Sequence, residues 1–212
     1  YWMDAIICDY NYAFDPNVKL QRFFSEGVTG EYLFLVDEAH NLVERAREMY
    51  SARILKEEIL EAKRLYRGHE RITKKLDRCN RALLALKREC ERYRVLPEGE
   101  GLGALMLGLE SLYGELETFR DKHPGFEPHK EALEFFFLIR DFLNTYDRMD
   151  EHYRVYTEVL EDGSFMVKLL CVNPAFQLKE CLEKGNSTIF FSATMLPIQY
   201  YKELLSGNQE EY

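Results

Sequence analysis

The sequence has no run approaching about 18 consecutive apolar residues, the length a membrane-spanning helix needs, so no membrane span is expected. It has no basic and then apolar leader: it begins Tyr1-Trp2-Met3-Asp4, which gives no sign of a secretory signal. A start on Tyr1 suggests a segment excised from a longer chain. Cysteine is sparse and unpatterned. Cys8, Cys79, Cys90, Cys171 and Cys181 are odd in number and form no C-x-x-C pair, which argues against a zinc site or a disulfide framework. Unpaired thiols point to a reducing compartment, and a cytoplasmic, bacterial-type location is expected. There is no internal repeat and no low-complexity tract. Also missing is G-x-x-x-x-G-K-[ST], the loop whose backbone N–H groups cradle nucleotide phosphates.

Positive charge is in short supply, with 28 Lys and Arg against 37 Asp and Glu, a net of -9. The deficit is uneven. Residues 51–94 hold 14 basic and 7 acidic residues, a net of +7, and the rest of the chain holds 14 and 30, a net of -16. Electrostatic footprints are local, so one basic element on an acidic protein can still follow a phosphate backbone. A solvated helical face is the plainer reading of the same charges.

What is present reads as α/β with a long helical interior. Residues 4–9 (DAIICD), 32–36 and 188–191 (TIFF) are short apolar runs of strand length, read as buried strands of a parallel sheet. A short helix closed by glycines is expected between the first two. From about 42 to 150 the period is helical. Ile72, Leu76, Cys79, Leu83, Leu86, Cys90 and Tyr93 step by four and three, a heptad seam, and Leu55, Ile59, Ala62 and Tyr66 continue it before a turn at Arg67-Gly68-His69. Leu102, Leu105, Leu109, Leu112, Leu116 and Phe119 predict a third helix. Ala132, Phe135, Phe136, Ile139, Phe142, Leu143 and Tyr146 predict a fourth. Residues 153–173 predict a β-hairpin turning at Asp162-Gly163. Residues 175–184 read as helical, and Pro197 fits the first turn of a last helix.

The stretch YLFLVDEAHNLVERA (32–46) carries the chemistry. A parallel strand delivers its C-terminal residues to the rim where α/β sheets bind ligands. Of two carboxylates there, Asp37 can hold Mg²⁺ through water opposite phosphates, and Glu38 can orient or deprotonate an attacking water. His40 can carry hydrogen bonds to a neighbouring strand end. Ser192-Ala193-Thr194 closes a second strand of the same kind, where hydroxyls can meet His40. Acids in the first turn of a helix would also fit Asp37 and Glu38 without any catalysis.

DAIICDYNYAFDP (4–16), LVDEAHNLVE (35–44), LLCVNPAFQLKECL (169–182) and FFSATMLP (190–197) together resemble the XPD/DinG-type branch of superfamily II DNA helicases. The resemblance implies a partial RecA-like motor domain, residues 1–41 and 185–212, with parallel strands 4–9, 32–36 and 188–191 contiguous in that order. It implies a mainly α-helical Arch-like insertion, residues 42–184, ending in a β-hairpin at about 153–172. Asp37 would bind Mg²⁺, Glu38 would activate the hydrolytic water, and His40, Ser192 and Thr194, with Ala193 between them, would couple ATP hydrolysis to movement along single-stranded DNA. The Arch would help form a pore for that strand. ATP and Mg²⁺ are then cofactors of the parent protein. An iron–sulfur cluster is possible in the parent, but none of the cysteines here matches the family's ligands. Without the phosphate loop, the chain by itself is expected to be inactive and monomeric.

On α-helix positions outside the seams, Arg67, Arg71, Lys74, Lys75, Arg78, Arg81 and Arg88 are the candidate DNA contacts. A different reading makes the helical region a protein-interaction module that regulates a helicase or nuclease. A metal-dependent hydrolase built on Asp37, Glu38 and His40 is a third reading, for which no second ligand group is visible.

Overall fold

The computed structural model describes residues 4–25 and 27–206. Along the chain the elements are α1 (Asn11–Phe14), α2 (Gln21–Phe24), β1 (Leu33–Val36), α3 (Ala39–Tyr50), β2 (Ala52–Leu55), α4 (Lys56–Leu65), α5 (Glu70–Arg88), β3 (Tyr93–Leu96), α6 (Gly103–Lys122), α7 (His129–Asp147), β4 (Tyr153–Val159), β5 (Phe165–Cys171), α8 (Ala175–Leu182), β6 (Ser187–Phe190) and α9 (Ile198–Ser206). The protein is α/β, with one parallel and one antiparallel sheet among the described residues. It divides into two compact units, residues 1–50 with 171–212, and residues 51–170. Glu26, inside the expected first helix, and residues 1–3 and 207–212, at the ends of the expected motor segments, lie outside the described residues.

In the first unit β1 and β6 are parallel neighbours, with Leu33 opposite Ser187 and Val36 opposite Phe190. The apolar run 4–9 does not join them. It forms no strand, Asp4 to Asp9 are exposed, and Ile7 is fully so. Apolar composition makes a strand only where a neighbour accepts its backbone, and β1 pairs with β6 alone among the described residues. The strands are also less buried than their composition suggests: Leu33, Leu35 and Ile189 are 71%, 68% and 59% exposed on one face of the pair.

Helix α3 buries Ala39, Leu42, Val43, Ala46 and Tyr50, one face at helical spacing. The Tyr50 hydroxyl donates to Phe14 O at 2.7 Å, which ties the end of α3 to α1. Arg47 Nε donates to Val172 O at 2.9 Å. These bonds place α3, and α8 with its buried Leu178 and Cys181, in the first unit. The helical unit therefore begins at 51 and ends at 170, inside the expected bounds of 42 and 184.

In the second unit α4 and α5 form a hairpin whose turn holds Gly68 at φ 94°, a left-handed conformation open to glycine. The α5 seam Ile72, Leu76, Cys79, Leu83 and Leu86 is buried against α6, which contributes Leu105, Leu109, Leu112, Leu116 and Phe119. The two helices approach closely at Gly108, where a Cβ would lie 3.1 Å from Cys79 Sγ. A four-stranded antiparallel sheet in the order β2-β5-β4-β3 completes the unit. Its β4–β5 hairpin turns through the Gly163 N–H bond to Leu160 O at 2.9 Å. Strands β2 and β3 stand where helix was expected. Leu55 ends β2, where its N–H donates to the Glu58 carboxylate at 2.7 Å, and α4 starts after it. Tyr93 is 56% exposed on edge strand β3 and does not extend the seam, because α5 ends at Arg88.

Candidate functional site

Strand β1 ends at Val36 and α3 begins at Ala39, so Asp37 and Glu38 form the whole of the turn between them. Phe191 N–H donates to Val36 O at 3.0 Å and Ala39 N–H donates to Phe191 O at 3.1 Å, which carries the strand pairing across to the segment after β6. That bracing brings residues 37–40 beside Ser192.

Glu38 has φ 47°, in the left-handed region that a side chain with a Cβ seldom occupies. Its own N–H donates to Asp37 Oδ1 at 2.7 Å, and its carbonyl accepts Asn41 N–H at 2.9 Å. Ser192 Oγ lies 3.2 Å from Glu38 Oε2 and 2.7 Å from His40 Nδ1, and His40 Nδ1 is 3.2 Å from Glu38 Oε2. One proton arrangement satisfies these distances. His40 Nδ1–H and Thr194 N–H (3.3 Å) donate to Ser192 Oγ, and the serine hydroxyl donates to Glu38. Ser192 and Glu38 both address the same ring nitrogen, so this is no serine-nucleophile relay, which uses the two nitrogens in opposite senses. The Glu38 side chain is 56% exposed and can meet water.

Tyr10 completes the site and was not singled out from the sequence. Its single hydroxyl proton is shared between Asp37 O and, at 3.0 Å, Glu38 O. Burial first, then the Asp37, Glu38 and Asp9 carboxylates, push its phenol above the usual value, so it remains a donor. The signal in the sequence was the aromatic pair Tyr10 and Phe14, one helical turn apart, which a one-turn helix puts on one side.

Glu38, His40 and Ser192 are thus brought together. Thr194 reaches Ser192 through its backbone, Ala193 is exposed in the turn between them, and Asp37 is exposed beside the group. Asp37 suits a water-mediated Mg²⁺ ligand, since Oδ2 takes no protein hydrogen bond among the described residues. No group of three or more His, Cys, Asp or Glu side chains among those residues could hold a metal ion. A cation at Asp37 would have to draw its other ligands from outside these side chains.

The candidate DNA contacts all lie in the second unit. Arg71, Lys74, Arg78, Arg81 and Arg88 are exposed and form a stripe roughly 100° wide along α5. Lys74 pairs with Glu70 at 3.2 Å, and the four arginines have no carboxylate within ion-pair distance among the described residues. Arg67 is exposed in the turn before α5. Lys75 leaves the stripe: it is half-buried, and its ammonium donates to Ser111 Oγ at 2.6 Å. Among the described residues no helix is long and apolar enough to cross a membrane.

Neither a family model nor a curated protein matches this chain.

Proposed function

We propose that this chain is part of an ATP-dependent DNA helicase of the XPD/DinG type, holding the water-activating half of a RecA-like motor site and an Arch-like helical insertion. The observation that carries the reading is the meeting of Glu38, His40 and Ser192 at the C-terminal ends of two neighbouring parallel strands. Parallel strand ends are where α/β sheets gather ligand chemistry. In this reading the half-exposed Glu38 carboxylate orients the attacking water, and Asp37 faces the nucleotide's metal. Mg²⁺, when bound, supplies charge neutralisation on the phosphates. The Ser192 hydroxyl senses whether Glu38 is engaged and passes that state to His40 and the segment after β6. The uncovered face of Leu33, Leu35 and Ile189 supports a further layer packing on the pair, because a two-stranded sheet without one is marginal in water. The unpaired arginines of α5 are suited to the phosphates of single-stranded DNA.

The test is Glu38→Gln in the full-length protein. ATP turnover is expected to fall by about 10²–10⁴ while nucleotide binding is retained. Normal turnover with Gln at 38 sinks the reading. The isolated 212-residue chain, which has no phosphate-cradling loop, should not turn over ATP.

A second reading, protein docking by the helical unit, has in its favour Leu107 and Phe137, which are exposed on α6 and α7.

A further inference from the structure

The backbone of Glu38 is held from several sides. Its N–H is bonded by its own neighbour Asp37. The following N–H, of Ala39, is bonded by the Phe191 carbonyl, and its own carbonyl takes the Asn41 N–H of the first turn of α3. Each of these comes from the strand pairing or from the turn itself. One contact does not: the Tyr10 hydroxyl, which arrives from 28 residues earlier and shares its one proton between the Asp37 and Glu38 carbonyls.

Tyr10 is well placed to exert a fixed force. It immediately precedes α1, and α1 is anchored at its far end by the buried Phe14. Phe14 packs beside Phe34 of β1, with ring centroids 6.4 Å apart, and its carbonyl accepts the buried Tyr50 hydroxyl at 2.7 Å. The phenol is therefore carried on a short helix pinned to both β1 and α3, the two elements that the strained turn connects. A residue in the left-handed region persists only where its surroundings over-determine it, and such residues cluster at functional sites.

We infer that Tyr10 is a positioning residue, whose hydroxyl clamps the 37–38 turn so that the Glu38 carboxylate stays on Ser192 and His40. With the clamp, the carboxylate waits at the position where it meets water. Without it, the peptide planes at 37 and 38 can rotate, the carboxylate swings from the serine, and correct orientation is a minor state. This inference rests on the motor reading above, since it assigns Tyr10 a part in orienting the carboxylate that the reading makes catalytic.

The experiment is Tyr10→Phe in the full-length protein, which keeps the ring and removes only the hydroxyl. The expected result is a kcat for ATP hydrolysis lower by about tenfold, with KM for ATP and the melting temperature unchanged, since misorientation of a reacting group costs rate and not ground-state binding. In a Glu38→Gln background the same substitution should cause no further loss, because the group it positions is already gone. An unchanged kcat in Tyr10→Phe, while Glu38→Gln abolishes turnover, overturns the inference and leaves the motor reading standing. A raised KM with lowered melting temperature also overturns it, assigning Tyr10 to general packing. Turnover that survives Glu38→Gln overturns the motor reading and this inference with it.

Discussion

His40 Nδ1 and Ser192 Oγ lie 2.7 Å apart although they stand 152 positions apart in the chain. The serine hydroxyl touches both the imidazole and the Glu38 carboxylate, which are themselves 3.2 Å apart, so the three groups form a closed triangle. Ser192→Ala removes the serine corner and leaves the carboxylate in place. On the helicase reading proposed above, strand separation by the full-length protein should fall by about tenfold, the equivalent of one hydrogen bond, with ATP turnover reduced much less. Paired assays of unwinding and phosphate release measure the difference, and an equal loss of both would count against a coupling role.

The arginine stripe of α5 makes a salt-dependent prediction. Arg71→Glu, Lys74→Glu and Arg78→Glu together should weaken binding of single-stranded DNA and reduce the slope of log affinity against log salt by about 2, since each phosphate contact contributes roughly 0.7. Titration of a labelled oligonucleotide over a salt series reads both. An unchanged slope would mean that the stripe is only solvated surface, and would favour the protein-docking reading.

Gly108 tests how closely α5 and α6 are packed. In a helix interior, alanine is favoured over glycine by about 1 kcal/mol. A Cβ at 108, however, meets Cys79 Sγ at 3.1 Å. Gly108→Ala should therefore be near neutral, and Gly108→Val should cost about 1–3 kcal/mol by overpacking. In a Cys79→Ala background, Gly108→Ala should become stabilising. Denaturant unfolding of the four combinations gives the coupling energy, and simple additivity would show that the sulfur is not the obstacle.

The cysteines offer a probe of the native state. Cys8 is exposed, whereas Cys79, Cys90, Cys171 and Cys181 are buried. Partial desolvation by its surroundings, with some help from Asp9, raises the exposed Cys8 thiol above its usual value, so at pH 8 it holds less thiolate than a free cysteine and should react more slowly. Burial pushes Cys79 up to about 12, so it stays a thiol. A colorimetric thiol reagent should titrate one group in the native chain, faster as pH rises, and five after unfolding. Rapid reaction of two or more native thiols would contradict the buried positions.

Long-period signals in the sequence were easy to read, and short ones were not. The α5 and α6 seams extend over five turns, so each apolar residue is supported by several others, and the expected positions from Ile72 to Leu86 are buried. Strands β2 and β3 have four residues each, too few for alternation to compete with a seam running past them. In β3 the apolar Tyr93 and Val95 even lie on the exposed side. The run 4–9 failed for the opposite reason: its composition is strand-like, but pairing is a property of the neighbour. At the site, the strand-end carboxylates and the serine could be found because they sit beside apolar runs. Tyr10 was marked only by its spacing from Phe14, and that spacing does not reveal the tertiary hydrogen bond on which its contribution depends.

Strands β1 and β6 pair across a wide gap in sequence, Leu33 with Ser187. For a disordered chain, closing so long a loop is slow, and the pairing is non-local in the sense that retards folding. The helical unit shortens the journey. Its first and last strands, β2 and β5, are antiparallel partners with Ala52 opposite Leu169, so once that unit has formed, its two ends emerge side by side. The ends of β1 and β6 are then separated by a short tether and not by the whole intervening chain, which lowers the closure entropy by about 0.6 kcal/mol for each halving of effective length. The middle of the chain is therefore expected to fold first and to serve as the clasp that lets its own two ends find each other.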